Sequence, residues 1–432
     1  MRNCPKHFRD WSKSSDRTVL RLFFGRFMCF AAAGFLVAVF SLQAQTGEAL
    51  YRSDYRIAPE QERQLSIEMD NLNFFRNNEY AGRMIKGYTL PGFWAQAKAV
   101  YHPLRTVRLE AGFHAFVYHG AYKYPATAYQ DIARWKGNQY QTGIRLLPWF
   151  RTQAMLSEQV TVVLGNIYGA ANHRLPELLY NPELNLTADP ETGLQLLLDT
   201  RSFEADVWVN WQSFIFQTDT HQEAFTFGLS SRIKFNRPEA RFHLYAPFQA
   251  LIQHRGGEID TITVRSVQTL TNAAVGIGLQ WNVNRGIFKR LNVETGIASY
   301  IQQAGDLLPL DKGQGWYAFA IADLYDFRLK ASHFRNSDFI TLYGLPFYGA
   351  LSYQEENATY RNPALLTFGL EYFRSLGKGY ALGVDANLYY TQPSVMHNPA
   401  TGTRSEKAAV SLSTSLVLRI NPAFLLKRIN VK

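Results

Sequence analysis

The sequence predicts an all-β fold, a transmembrane up-and-down antiparallel β-barrel of about 16 strands with both termini periplasmic. Three observations lead there. From Gln45 onward polar and apolar residues alternate with a period of two, broken by polar, Gly- and Pro-containing connections, and no helix-length segment of period 3.6 competes. Many of these stretches run for about ten residues or more, enough to cross a bilayer at a tilt. The connections alternate between brief and long, as they must when every second one lies on the same rim of a barrel.

The first element is a presequence. Arg2, Lys6, Arg9, Lys13, Arg17, Arg21 and Arg26 precede an uncharged stretch from Phe27 to Leu42, the layout of a secretory signal peptide, with cleavage expected after Ala44. Residues 45–64 are expected as a periplasmic N-terminal segment, 65–420 as the barrel and 421–432 as a C-terminal periplasmic tail. Strands are expected at 65–77, 89–101, 106–117, 139–153, 157–164, 193–199, 202–211, 223–235, 240–252, 267–281, 289–301, 315–322, 325–334, 364–374, 379–391 and 407–420. In 225–235, Phe225, Phe227, Leu229, Ile233 and Phe235 share one face, while Thr226, Gly228, Ser230, Arg232 and Lys234 share the other. The longer connections include 118–138, 165–192 and 335–363. A sandwich would alternate too, but only a closed sheet leaves no unpaired strand edge facing hydrocarbon.

Composition removes several classes. The 62 aromatic rings (30 Phe, 24 Tyr, 8 Trp) exclude a disordered chain. No run of 18 apolar residues follows the presequence, which excludes a helical membrane protein. Tyr101, Tyr118, Trp149, Trp211, Trp281, Tyr300, Trp316, Tyr325, Tyr372 and Tyr390 fall at or near strand ends, where amphipathic rings settle at headgroup level. Both cysteines, Cys4 and Cys29, lie in the presequence, so the mature chain has no thiol for a disulfide framework or a zinc site. Removing residues 1–44 takes seven basic and two acidic residues from totals of 45 and 35, leaving 38 against 33. That modest excess points to no nucleic-acid partner, which would need basic residues clustered on one face.

The stretches LGNIYGAANHRLPELLYNP (164–182) and ETGLQLLLDTRSFEADVWVNWQSF (191–214), together with the pattern after residue 64, resemble porin-like outer-membrane β-barrels of Gram-negative bacteria, uncharacterised members among them. The resemblance implies an outer-membrane location and carries over no functional residue. The chain departs from many such barrels at its end, where NPAFLLKRINVK follows the last alternating strand in place of a terminal aromatic.

With the apolar faces toward lipid, the opposite faces line the lumen with Lys98, Arg108, Glu110, Arg145, Arg151, Glu204, Asp206, Arg232, Lys234, Arg241, Glu294, Arg328, Lys330, Glu371 and Asp385, joined by Arg419. A basic excess there either favours anions or is consumed by pairs that brace the wall. The loops 165–192 and 335–363 are too long and too apolar to stay hydrated; they are expected to enter the lumen as a constriction or plug, or to pack against a surface partner. Signs of catalysis are thin. His173 follows Asn172 in a loop without serine, and His221 stands with Asp219 and Glu223, so no catalytic residue is assigned and the chain is expected not to be an enzyme. His114 and Glu110 are four residues apart on one strand face, about 13 Å, too far to share an ion, and neither metal nor cofactor is expected. The reading is a porin or substrate-restricted passive diffusion channel of the outer membrane, with a loop-constricted, weakly basic lumen, in contact with membrane lipid and small solutes. The alternatives are a plugged barrel for secretion, assembly or surface attachment that grips a surface or periplasmic protein, and an outer-membrane hydrolase. A homo-oligomer is left open.

Overall fold

Sixteen antiparallel strands close on themselves in the computed structural model, which describes residues 50–118, 129, 144–216, 219, 221–257 and 267–428. The expected presequence 1–44 and most of the expected loop 118–138 lie outside the described residues. The wall runs in sequence order through β1 (Gln64–Glu79), β2 (Tyr88–Leu104), β3 (Val107–Tyr118), β4 (Arg145–Met155), β5 (Val160–Asn166), β6 (Thr192–Asp199), β7 (Phe203–Ser213), β8 (Ala224–Lys234), β9 (Phe242–Arg255), β10 (Gln268–Arg285), β11 (Phe288–Ala304), β12 (Lys312–Leu324) and β13 (Phe327–Ser337). After the short β14 (Thr359–Arg361) it resumes with β15 (Ala364–Gly377) and β16 (Tyr380–Thr391), then passes the hairpin β17 (Ser394–Asn398) and β18 (Gly402–Glu406) to reach β19 (Ala409–Ile420) and β20 (Ala423–Arg428). The strands β14, β17 and β18 form a separate small sheet on the long-loop rim.

Closure is made by the first strand. One edge of β1 pairs with β2, from Leu65↔Tyr101 to Asn78↔Tyr88, and the other pairs with β19, from Asn71↔Ile420 to Glu79↔Leu412. The same edge continues against β20, with Ile67 opposite Phe424. Residues 423–428 therefore extend the wall instead of forming the expected tail. The break between β19 and β20 falls at Pro422, which has no N–H to give, while its carbonyl accepts the Met69 N–H at 3.0 Å. A sheet so closed leaves no edge groups that hydrocarbon would strand.

Side-chain parity then gives an outside-in arrangement. Phe75, Phe113, Phe150, Ile233, Phe248, Ile297 and Leu416 are exposed on the outer wall, whereas Gln153, Gln195 and Asn272 are fully buried inside. Trp211, Trp316 and Tyr325 are exposed, in keeping with rings at a lipid boundary. Trp149 and Tyr300 depart from that expectation. Both fall on lumenal positions and are buried, and the Trp149 Nε1–H donates to Glu110 at 2.9 Å, a partner lipid could not offer.

Two long loops fill the lumen. The segments 167–191 and 338–351 dock on each other: Tyr180 bridges Tyr343, the Asn181 N–H donates to the Tyr343 carbonyl at 2.7 Å, and the Leu345 N–H donates to the Glu177 carbonyl at 2.9 Å. Phe339, Ile340, Leu345 and Phe347 are all at most 2% exposed, and each such side chain contributes about 1.5–3 kcal/mol by leaving water. The N-terminal segment also enters the barrel. Leu50 is buried against Gly383, and Arg419 donates to the carbonyls of Leu50 and Arg52, so at least residues 50–52 line the lumen rather than standing apart as a separate segment. Its signal in the sequence was apolar content, namely Leu50, Tyr51, Tyr55 and Ile57.

Candidate functional site

His173 is buried in the plug, and its surroundings are built from the wall outward. Trp208 on β7 points into the lumen and lies flat over Gly228 of β8, where a Cβ would come within 2.1 Å of the indole. Only glycine leaves that space. On the free face of the indole stacks the His173 imidazole, with ring centroids 3.5 Å apart and planes within 8°. A 3-10 turn, Ala170–His173, delivers the ring, and its first N–H donates to the Glu191 carboxylate at 2.8 Å.

Both ring nitrogens meet carboxylates. Nδ1 lies 2.7 Å from Asp206 and Nε2 lies 3.1 Å from Glu191. Asp206 is itself fixed by the Gln195 Nε2 at 2.9 Å. Burial alone would push the imidazole down, but the charges of Glu191 and Asp206 and their hydrogen bonds outweigh it and hold His173 up at about 9. The Glu191 carboxyl, conversely, is raised by burial but held below its usual range by the charge and hydrogen bond of His173 and by the Ala170 N–H. A histidine oriented at Nδ1 by a carboxylate is the arrangement that turns Nε2 into a general base once it is neutral. A cavity of about 60 Å³ bounded by His173, Asp206, Ser230 and Ser231 adjoins it, room enough for water.

Four further ion-pair groups tie the plug to the wall. Glu183 accepts from Arg76 and Asn78 at 2.8 Å and from the Tyr88 hydroxyl at 2.5 Å. Lys330 bridges Glu177 of the plug and Glu371 of β15 at 2.5 and 2.8 Å. Asp189 takes Arg145 at 2.5 Å, and Glu204 takes Arg174 at 3.3 Å. Beyond these, a wall network centres on Glu110, reached by Arg108 at 2.7 Å, Lys98 at 3.1 Å and Arg151 at 3.3 Å. Between plug and wall, toward the short-turn rim, remains a cavity of about 540 Å³ whose lining includes Arg232, Glu294, Arg328, Lys330, Glu371 and Asp385.

The structure thus brings into the lumen Lys98, Arg108, Glu110, Arg145, Arg151, Glu204, Asp206, Arg232, Lys234, Glu294, Arg328, Lys330, Glu371 and Asp385. Arg241 is the exception. It sits exposed in the turn before β9 with its guanidinium 5.5 Å from the ring of lipid-facing Phe242. His221 and Asp219 form no reactive pair: the ring meets the Phe214 carbonyl at 3.1 Å and the carboxylate takes the Phe216 N–H at 2.8 Å, so both brace their loop. His114 turns to Gln96 at 3.0 Å, away from Glu110. Among the described residues no group of three or more His, Cys, Asp or Glu is arranged to hold a metal ion. Sequence reasoning missed Arg76, Glu177, Glu183 and Glu191, of which the last three were polar residues inside a stretch otherwise read as an apolar plug.

Comparison with known proteins adds a family. The family model described as lipid A 3'-O-deacylase-type matches residues 57–429. That description is of an enzyme, which overturns the expectation that the chain is not one. Among solved structures, OccAB4 of Acinetobacter baumannii is similar with a TM-score of 0.47 at 10% identity, over 85% of this chain and 100% of that one. OpdK of Pseudomonas aeruginosa with vanillate gives 0.47 at 10% identity, over 84% and 100%. A loop-deleted OmpT, an outer membrane protein of Vibrio cholerae, gives 0.43 at 8% identity, over 83% and 98%. No curated protein matches the sequence.

Proposed function

This chain belongs to the lipid A 3'-O-deacylase-type family, and we propose that it hydrolyses an acyl ester of an outer-membrane glycolipid, with His173 as general base and Asp206 as its orienting partner. The family match along the whole barrel carries this reading, and the buried His173–Asp206 pair supports it locally. In the step envisaged, His173 releases Glu191, and its neutral Nε2 takes a proton from a water in the adjoining cavity. The water oxygen bonds to the ester carbonyl carbon. The intermediate then expels the sugar alkoxide, which recovers the proton from the imidazolium and leaves a free fatty acid. Asp206 keeps Nδ1–H donating throughout. The test is mass spectrometry of lipid A in vesicles carrying the folded barrel. Wild type should release one acyl chain, and His173→Gln should be slower by about 100-fold or more. An inactive wild type would remove the deacylase reading, and an active His173→Gln would remove His173 from it.

A second reading, a passive channel whose plug is displaced to let small solutes through, is favoured by the 540 Å³ cavity left beside the plug. Planar-bilayer recording tests it: discrete steps of steady size support conduction, and silence under all applied voltages counts against it.

A further inference from the structure

We propose that the lumen holds a second site, adjoining the His173 pair, that binds a small hydroxylated organic anion through Arg174, Arg232 and Gln249. It stands whether or not His173 is a base.

Arg174, Arg232 and Gln249 line both the 540 Å³ cavity and the smaller one beside it, so they stand where the two meet. Charge there is not balanced. Arg174, Arg232 and Lys234 lie 3.3, 3.6 and 3.6 Å from a single carboxylate, Glu204, and only Lys234 has a further one, Asp199 at 2.7 Å. Within 4 Å, three cations thus share two carboxylates, while Asp206 of the smaller cavity is taken by His173. Among the side chains that line the larger cavity, seven are basic and five acidic. A guanidinium with unspent N–H groups receives a carboxylate or phosphate oxygen with a charge-assisted bond.

Gln249 supplies the second feature. The side chain is 6% exposed, its Nε2 donates to the Arg174 carbonyl at 3.1 Å, and its Oε1 has no hydrogen-bond partner among the described residues. A buried amide oxygen left without a donor is destabilising, and a ligand hydroxyl would satisfy it. The carbonyl that holds Gln249 belongs to Arg174, whose left-handed backbone, φ 56°, turns the plug at this point. On the other side the Arg232 guanidinium stacks 4.1 Å from the buried Tyr245 ring, which fixes the cation at the cavity wall. Anion-binding guanidinium and unpartnered acceptor together call for a molecule bearing a hydroxyl and one negative group, such as a sugar acid.

Isothermal titration of the full barrel in detergent with gluconate, and separately with acetate and with sorbitol, tests this. Gluconate should bind, with acetate and sorbitol each at least 10-fold weaker. Arg232→Gln should lose at least 10-fold for gluconate and Gln249→Met should lose affinity for gluconate but not for acetate, each variant first shown to keep the heat-modifiable mobility of the folded barrel. Should either variant fail to fold, competition by chloride against gluconate in the wild type replaces it, with displacement expected. No gluconate binding, or equal affinity in a folded Arg232→Gln, overturns the proposal.

Discussion

The two loops that fill the lumen are held by different physics. The segment 338–351 contributes Phe339, Ile340, Leu342, Tyr343, Leu345, Phe347 and Tyr348, all buried, and no charged side chain after Asp338. The segment 167–191 contributes His173, Arg174, Glu177, Glu183, Asp189 and Glu191, and each of these meets an opposite charge. Apolar contact has no titrating group and is insensitive to pH, whereas buried charge pairs hold only while both partners keep their charge. The first loop is a fixed stopper. The second is the conditional one, and it carries the only buried histidine paired with carboxylates among the described residues.

The contrast can be broken most strongly from the apolar side. Phe347 stacks on Tyr389 with centroids 5.1 Å apart and meets Tyr80 edge-on at 5.0 Å, so Phe347→Asp buries a charge without a partner and should cost several kcal/mol, about 3–5, of plug docking. Conductance should exceed that of the wild type. A silent variant with wild-type heat stability would show that the stopper is held by something other than apolar contact.

Next in size is Glu183→Gln. Arg76 and Glu183 have side-chain exposures of 6% and 0%, and removing the carboxylate leaves the buried guanidinium with neutral Asn78 and Ser413 and, as its one remaining anion among the described residues, Asp385 at 3.5 Å. A loss of about 3 kcal/mol is expected. Trypsin cleavage at Arg174 in the intact barrel reads it, and an unchanged cleavage rate argues that the pair does not anchor the loop.

The pH response is smaller. His173 is raised from 6.5 to about 9, so its contribution is complete below pH 6.5 and disappears as pH rises through 9; Glu191 is lowered, so its contribution is complete above 4.5 and lost on acidification. Protection of loop 167–191 from protease should therefore be greatest between about pH 4.5 and 6.5 and should fall toward pH 9 by at most about 3 kcal/mol. Protection that rises toward pH 9 would contradict the pairing. The segment 338–351 should show no such dependence.

The smallest effect is expected on the outer rim. Glu355 accepts from Arg404, from Arg83 at 2.9 Å and from Asn398 at 2.8 Å, joining three outer loops. Those hydrogen bonds, Arg404 first, hold its carboxyl down at about 2, so the joint should survive to about pH 3 and loosen only below. Glu355→Gln should raise hydrogen exchange in residues 80–87 and 402–406 and leave the plug unaffected; exchange increased throughout 167–191 would show that rim and plug move together.

The sequence exposed the wall more fully than the site. Alternation such as Phe225 to Phe235 depends only on neighbours two apart, so each of the sixteen expected strands overlaps one that forms. The plug was visible as a loop too greasy to hydrate. The pairs that hold it were not, because Arg76 and Glu183 are 107 residues apart and nothing local marks them as partners. His173 was noticed, but Asp206 was read as a wall residue and Glu191 as the edge of a loop, and the 3-10 turn that joins them has no strong sequence signature. Arg241 shows the opposite error. The expected strand began at 240 and β9 begins at Phe242, and that two-residue difference leaves Arg241 in the turn at the rim.

Whether the buried, carboxylate-paired His173 of the conditional loop is the base of an ester hydrolase is tested most directly by the pH dependence of acyl release from lipid A vesicles. Activity should rise with pH along a limb with its midpoint near 9, where His173 becomes neutral, and that limb should be absent in His173→Gln. A rate that is flat or falls across that range in the wild type would contradict it.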